Sequence, residues 1–289
     1  MNRLLIGSVA LAAIGLGAPA ALAADMMRAP PVAAPVAYTW TGCYVGLQVG
    51  NSWGRSDHTT VANSGETNVA GVFRPIPAGA TIAGPFSLTG FIGGVEGGCN
   101  YQVGWWVFGF EVDWSTTNKE GQANEPDGVG TFIRPGNPFW VSSTKERWLG
   151  TARGRLGFTV WDKSLLFVSG GGAWAKVDTS EFLLNGVAAG AFLTTFAPSA
   201  TTTHQEGHWQ GGWTIGGGWE YALGYGWSIK SEYLYVDLGR FTTFNSIIPG
   251  NILTANIIGP REVRLTDHIW RVGMNYSFGI GKAPVVARY

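Results

Sequence analysis

Alternating side chains, an asymmetric set of connections and an export leader predict an all-β fold for this chain. The specific expectation is an eight-stranded antiparallel up-and-down transmembrane β-barrel. From Thr41 onward, large apolar residues recur at every second position, which is the period of a strand. Long polar connections follow the odd-numbered strands and tight turns follow the even ones. Composition agrees: of 289 residues, 44 are glycine and 14 tryptophan, and only 13 % are charged, against roughly 25 % in an ordinary soluble domain. The 13 % aromatic content excludes a chain kept disordered by charge, and the heptads of a coiled coil are missing. Nineteen acidic and 19 basic residues cancel, so no basic surface offers itself to nucleic acid.

The leader comes first. Arg3 precedes an apolar run from Leu4 to Leu16, and Ala21-Leu22-Ala23 supplies the small-x-small pattern, so cleavage is expected between Ala23 and Ala24. The run is shorter than the roughly 20 apolar residues of a membrane helix, and Gly15, Gly17 and Pro19 interrupt it. Residues 1–23 are the expected signal peptide, and residues 24–39, with Pro30, Pro31 and Pro35, a periplasmic linker. Residues 40–279 would form the barrel and 280–289 a periplasmic C-terminal extension.

Eight segments carry the alternation: about 42–55, 88–102, 105–116, 145–160, 164–177, 208–223, 227–240 and 263–278. In the third, Trp106, Phe108, Phe110, Val112 and Trp114 interleave with Gly109, Glu111 and Asp113. In the fourth, Trp148, Ala152, Leu156 and Phe158 oppose Arg147, Arg153 and Arg155. The sixth sets Trp213, Ile215 and Trp219 against Thr214 and Glu220; the eighth sets Trp270, Val272 and Met274 against Arg271 and Asn275. The fifth and seventh are the least regular. In the seventh, Lys230 and Glu232 share parity with Leu234 and Val236, which predicts a bulge or a change of environment. Segments 56–87, 117–144, 178–207 and 241–262 are the long connections, and the short turns fall near Val103-Gly104, Trp161-Asp162-Lys163 and Leu223-Gly224-Tyr225-Gly226.

Two barrels fit this pattern. A soluble lipocalin-like barrel would point its aromatic face inward; a membrane barrel inverts it, with aromatics toward lipid. Tryptophans at strand ends (Trp53, Trp105, Trp114, Trp148, Trp161 and Trp227), strands longer than the 9–11 residues needed to span, and few charges on the other face all favour the membrane. Inward parity then collects a lumen charge network of Glu96, Glu111, Asp113, Arg147, Arg153, Arg155, Glu220, Lys230, Glu232, Asp267 and Arg271. Eight strands leave an interior just wide enough for side chains, so a plugged barrel is expected. Cys43 and Cys99 should meet at the turn end on neighbouring strands, either as a disulfide or as two free, lipid-shielded thiols.

The opening Tyr38-Thr39-Trp40-Thr41-Gly42-x-Tyr44-Val45-Gly46 resembles the start of the barrel in opacity-type outer-membrane proteins. Glu232 to Gly239, the closing Arg271 to Phe278 and the terminal Pro284 to Tyr289 are similar to the 25/31-kDa surface-protein branch of alphaproteobacteria. That resemblance implies a structural or surface-antigen barrel in the cell outer membrane, in contact with its lipid and lipopolysaccharide. It further implies insertion by the barrel-assembly machinery, which reads a terminal aromatic strand, here Tyr276 and Phe278, although the chain runs on to Tyr289. Some members of the family act as porins or bind haem.

No catalytic, metal or cofactor site emerges from the residues. His204 and His208 have a helical metal-ligand spacing but sit beside a strand, and His268 next to Asp267 is the one hint of a catalytic pair. Gly-x-Ser-x-Gly, P-loop and His-Glu-x-x-His motifs are absent. Glycine groups such as Gly170 to Gly172 and Gly216 to Gly218 lie mid-strand, where glycine permits curvature and no helix follows to hold phosphate. A structural surface barrel is the leading reading; a narrow porin-like channel and a loop-based ligand receptor are the alternatives, and no oligomeric state is assigned.

Overall fold

The computed structural model describes residues 38–61, 64–67, 73–124, 140–161, 163–183, 203–243 and 260–278. The expected signal peptide with Ala23 and Ala24, most of the linker, and the C-terminal extension lie outside the described residues. Eleven strands follow in order: β1 (Gly42–Thr60), β2 (Ser64–Thr67), β3 (Phe73–Ile76), β4 (Thr81–Val103), β5 (Trp106–Thr117), β6 (Glu120–Asn124), β7 (Trp140–Val160), β8 (Ser164–Leu183), β9 (Thr203–Gly224), β10 (Trp227–Thr243) and β11 (Arg261–Phe278). The hairpin β2–β3 stands apart from the main sheet, and β5 and β6 are two halves of one wall strand broken at Asn118-Lys119. Eight wall strands therefore close a ring in the order β1-β11-β10-β9-β8-β7-β5-β4, with β4 pairing back onto β1. Every pairing in the ring is antiparallel, and the chain is an up-and-down barrel.

Wall strands run well into the segments read as connections. β1 continues to Thr60, β4 begins at Thr81, and β8 and β9 remain paired out to Phe182↔Thr203. The β1, β8 and β9 extensions are mostly polar on both faces, and Gly84 and Pro85 interrupt that of β4, so a period-two hydrophobicity signal fades there although the ladder does not. The seventh wall strand has no bulge at Lys230–Val236. Inward parity holds from Lys230 through Leu238, and the register shifts between Asp237 and Arg240, where Gly239 takes a φ of +70°. Glycine accepts that left-handed conformation without the steric cost of a Cβ. The change at Leu234 is one of environment: the interior passes from charged to apolar.

Small residues on β1 admit large ones on β11. Gly46, Gly50 and Gly54 pair with Asn275, Arg271 and Asp267, and a Cβ on Gly50 would lie 2.1 Å from the Trp270 carbonyl oxygen. The fifth wall strand, β8, is apolar on both faces, which explains its irregular pattern. Leu165, Phe167, Ala173, Ala175 and Val177 are buried inside, while Leu166, Val168 and Trp174 stand on the outer wall.

The outer wall is a continuous apolar band of Val45, Leu47, Val49, Phe108, Phe110, Leu166, Val168, Ile215 and Met274, all substantially exposed. Trp53, Trp114, Trp148, Trp174 and Trp270 bound it toward the long connections; Trp105, Trp106, Trp219, Trp227 and Tyr276 bound it toward the turns. Such girdles mark the two interfaces of a membrane. No helix among the described residues is long and apolar enough to cross a membrane.

Candidate functional site

The interior is the candidate site. At its turn end the chain folds back before β1, and Trp40 packs against Val107, Leu165 and Ala222 on three different wall strands. The Trp40 amide donates to Gln102 Oε1 at 2.8 Å, and Tyr38 abuts Trp40 edge-on with ring centroids 5.0 Å apart. Burial, and then the charge of Glu220, push the Tyr38 phenol up to about 12. Sequence reasoning assigned Tyr38 to the linker; the structure makes it part of a stopper.

Beyond the stopper lies a belt of paired charges. Arg153 Nη1 meets Glu232 Oε1 at 2.6 Å, and its Nη2 contacts Glu111 and, at 3.1 Å, Asp113. Arg271 chelates Asp113 through both terminal nitrogens, at 3.0 and 3.1 Å, and Glu232 at 2.8 Å. Lys230 Nζ lies 2.5 Å from Glu96 and 3.1 Å from Glu111. Arg155 pairs with Glu220 and stacks its guanidinium 3.8 Å over the Phe167 ring. Tyr44, not anticipated from the sequence, donates to Glu111 Oε2 at 2.5 Å. These side chains are almost fully buried, and a charge in such a place is tolerable only with a partner. The belt brings together Glu96, Glu111, Asp113, Arg153, Arg155, Glu220, Lys230, Glu232 and Arg271.

Arg147 is a correction: it does not face the lumen. A register shift between Glu146 and Trp148 switches the inward parity of β7, so Glu146 turns in and Arg147 turns out, half-exposed and paired with Asp178. Asp267 does face inward, but in a second cluster nearer the long connections, where Lys119 lies 2.5 Å from Asp267 and 2.7 Å from Glu146. Lys119 was not anticipated because it fell in a segment read as a loop, and Glu146 because counting along the fourth segment put it on the outer face. An apolar layer of Ile92, Leu149, Leu234, Val236, Leu265 and Ile269 accompanies this cluster.

Metal and catalytic constellations dissolve in this geometry. Among the described residues, one set of acids comes close enough to surround a metal: Glu96, Glu111 and Glu232, with ligand oxygens within 4.8 Å of one another. The Lys230 ammonium already sits among them. His204 and His208 are four residues apart along β9, about 13 Å in an extended strand, rather than one turn apart on a helix. Asp267 points inward while His268 stands on the outer wall, where Tyr233 OH lies 2.6 Å from its Nδ1 and Trp53 stacks on its ring. His58, Ser56 and Thr144 lie within 3.1 Å of one another but are sealed from solvent.

Cys43 and Cys99 are directly paired across β1 and β4, near the turn end, and are joined as a disulfide. With 56 residues of sequence separation, loss of this link removes a constraint on the unfolded chain of about 2–4 kcal/mol. The double variant C43A/C99A should unfold at correspondingly lower denaturant. Mass spectrometry of unreduced, alkylated protein should find no alkylated cysteine; two alkylated cysteines would disprove the bridge.

A closed antiparallel barrel with aromatic girdles outside and paired charges inside defines an integral outer-membrane β-barrel. This chain belongs to the outer membrane protein beta-barrel domain family, whose model matches residues 8–278. It is 32 % identical over 279 residues, 94 % of this chain and 99 % of the relative, to the 31 kDa outer-membrane immunogenic protein of Brucella melitensis biotype 1, and equally so to that of Brucella suis biovar 1. It is thus an outer-membrane protein of the alphaproteobacterial surface-protein branch. Similar solved structures include Neisserial surface protein A (11 % identity, 82 % of this chain and 98 % of that one, TM-score 0.34) and the outer membrane protease OmpT of Escherichia coli (10 %, 86 % and 100 %, TM-score 0.41).

Proposed function

We propose that this protein is a closed structural barrel that displays its four long connections as exposed antigenic segments, with the turns and both termini toward the periplasm. The observation that carries this reading is the filled interior. Arg153 and Arg271 are buried to within 1 % and joined to acids from across the barrel, leaving side chains where an aqueous channel would run. The Trp40 stopper lends further support. Purified protein in planar bilayers should therefore show no steady conductance at any salt concentration; an open conductance that scales with salt would favour the porin-like alternative.

The alternation of long and short connections supports the orientation. Epitope tags inserted after Gly79 and Ser199 should label on intact cells, and a tag after Lys163 should not. The reverse pattern would invert the topology. The absence of enzymatic activity is also part of the proposal, supported by the burial of the Ser56–His58 pair and by the opposite facing of Asp267 and His268. Tyr276 and Phe278, exposed at the end of β11, are well placed as the aromatic signal for the barrel-assembly machinery.

A further inference from the structure

The outer wall is not uniform around the ring. Just beyond the girdle on β10, β11 and β1, Arg55, Arg240 and Arg264 are matched by Asp57, Asp237 and Glu262, with Arg240–Glu262 at 2.9 Å and Arg264–Asp237 at 3.6 Å. On β4 the same height holds Ser87 and Thr89, with no charge. The β7–β8–β9 wall differs. Lys145 pairs with Glu120 at 3.2 Å, Arg147 engages Asp178 through Nε alone, and Lys176 has no acidic partner among the described residues. Among the described residues a cation is left over on this wall, and Arg147 engages Asp178 without using its terminal nitrogens.

Level with Lys176 sits a shelf of indoles. Lys176 is in register between Trp148 and Trp209, and Trp114 lies 5.9 Å from Trp148 and 6.1 Å from Trp209 between centroids. Below the shelf the wall thins between two ridges, Phe110 and Val112 on β5 and Trp213 and Ile215 on β9, with Trp174 closing its upper end. Between them Gly154 pairs with Gly170 and Ala152 with Gly172, and a Cβ added at Gly172 would meet nothing within 4 Å. The result is a shallow apolar trough on β7 and β8, at the middle of the apolar band. Phosphate, a sugar face and an acyl chain are the chemistries that cations, indoles and a bare apolar trough respectively accept.

We propose that the β7–β8–β9 wall binds one phosphorylated glycolipid of the outer leaflet, the lipid A anchor of lipopolysaccharide. Its phosphate lies over Lys176 and Arg147, its sugars against the tryptophan shelf, and an acyl chain in the glycine trough. The unmatched cation selects this wall over the charge-balanced one. The site rests on the orientation proposed above, since lipid A is at hand only if the long-connection end faces outward.

The test uses the full mature chain in detergent, with native mass spectrometry against three probes: bisphosphorylated lipid A, dephosphorylated lipid A, and phosphatidylglycerol. One lipid A should bind per barrel, and K176Q and G172L should each weaken it by on the order of tenfold. R264Q on the opposite wall should not weaken it. Retention of the heat-modifiable band on gels confirms that each variant is folded; K176Q, a surface change, carries the test should G172L fail to fold. Equal binding of either control lipid, or an equal loss in R264Q, would overturn the site. Failure of the orientation has its own signature: lipid A still binds in detergent while tags after Gly79 stay unlabelled on cells.

Discussion

Replacing Arg153 with alanine is expected to lower the unfolding free energy of the barrel by about 3–5 kcal/mol. Arg153 is completely buried and its guanidinium serves Glu111, Asp113 and Glu232 from two other wall strands. Its removal leaves carboxylates in a dry interior with too few cations, and the desolvation penalty of each is no longer offset. Arg271 and Lys230 would still hold Glu232 and Asp113 in part, which keeps the loss below that of stripping the whole belt. The folded band on unheated gels should convert to the unfolded position at a markedly lower temperature. Arg147→Ala is the matched control. That side chain is 48 % exposed, so its pair with Asp178 is solvent-screened and the change should cost less than about 1 kcal/mol. Equal shifts in the two variants would overturn the division between lumen and outer wall.

Lys119→Ala is expected to have an effect of similar size, again about 3–5 kcal/mol, for a sharper reason. Lys119 is the cation between Glu146 and Asp267, and all three side chains are at most 1 % exposed. Without it two carboxylates face each other against Leu265 and Ile269. The triple change K119M/E146Q/D267N removes the charges together and should recover most of the lost stability, measured by the same gel transition or by denaturant titration. If K119A unfolds like the unaltered protein, Glu146 and Asp267 find solvent, and the end of the barrel nearest the long connections is wetter than the packing shows.

Much of this barrel was legible in the residues themselves. Period two places Trp106, Phe108, Phe110, Val112 and Trp114 on one face and Glu111 and Asp113 on the other, because successive side chains of a strand point oppositely. Once an environment is assigned to each face, the inward placement of Glu96, Arg153, Arg155, Glu220 and Arg271 follows from counting alone. Counting also led Cys43 and Cys99 to the same end of neighbouring strands, and the register pairs them directly.

Only the tertiary structure decided where counting breaks. One extra residue at Glu146–Trp148 inverts parity, sending Arg147 outward and Glu146 inward, and a single-residue slip leaves no trace in a polar stretch where both faces have similar hydropathy. Lys119 had no parity to read, since it lies in the break between β5 and β6 and its inward turn depends on two acids from β7 and β11. Trp40 stood in the sequence only as part of the opening motif; ring closure brings Val107, Leu165 and Ala222 together beneath it and makes it a stopper. Strand, face and membrane are local properties, carried by the spacing of side chains along the chain. Charge partners, the closed mouth and the cation set among the shelf tryptophans depend on which strands become neighbours around the ring, and that is set by register across the whole barrel.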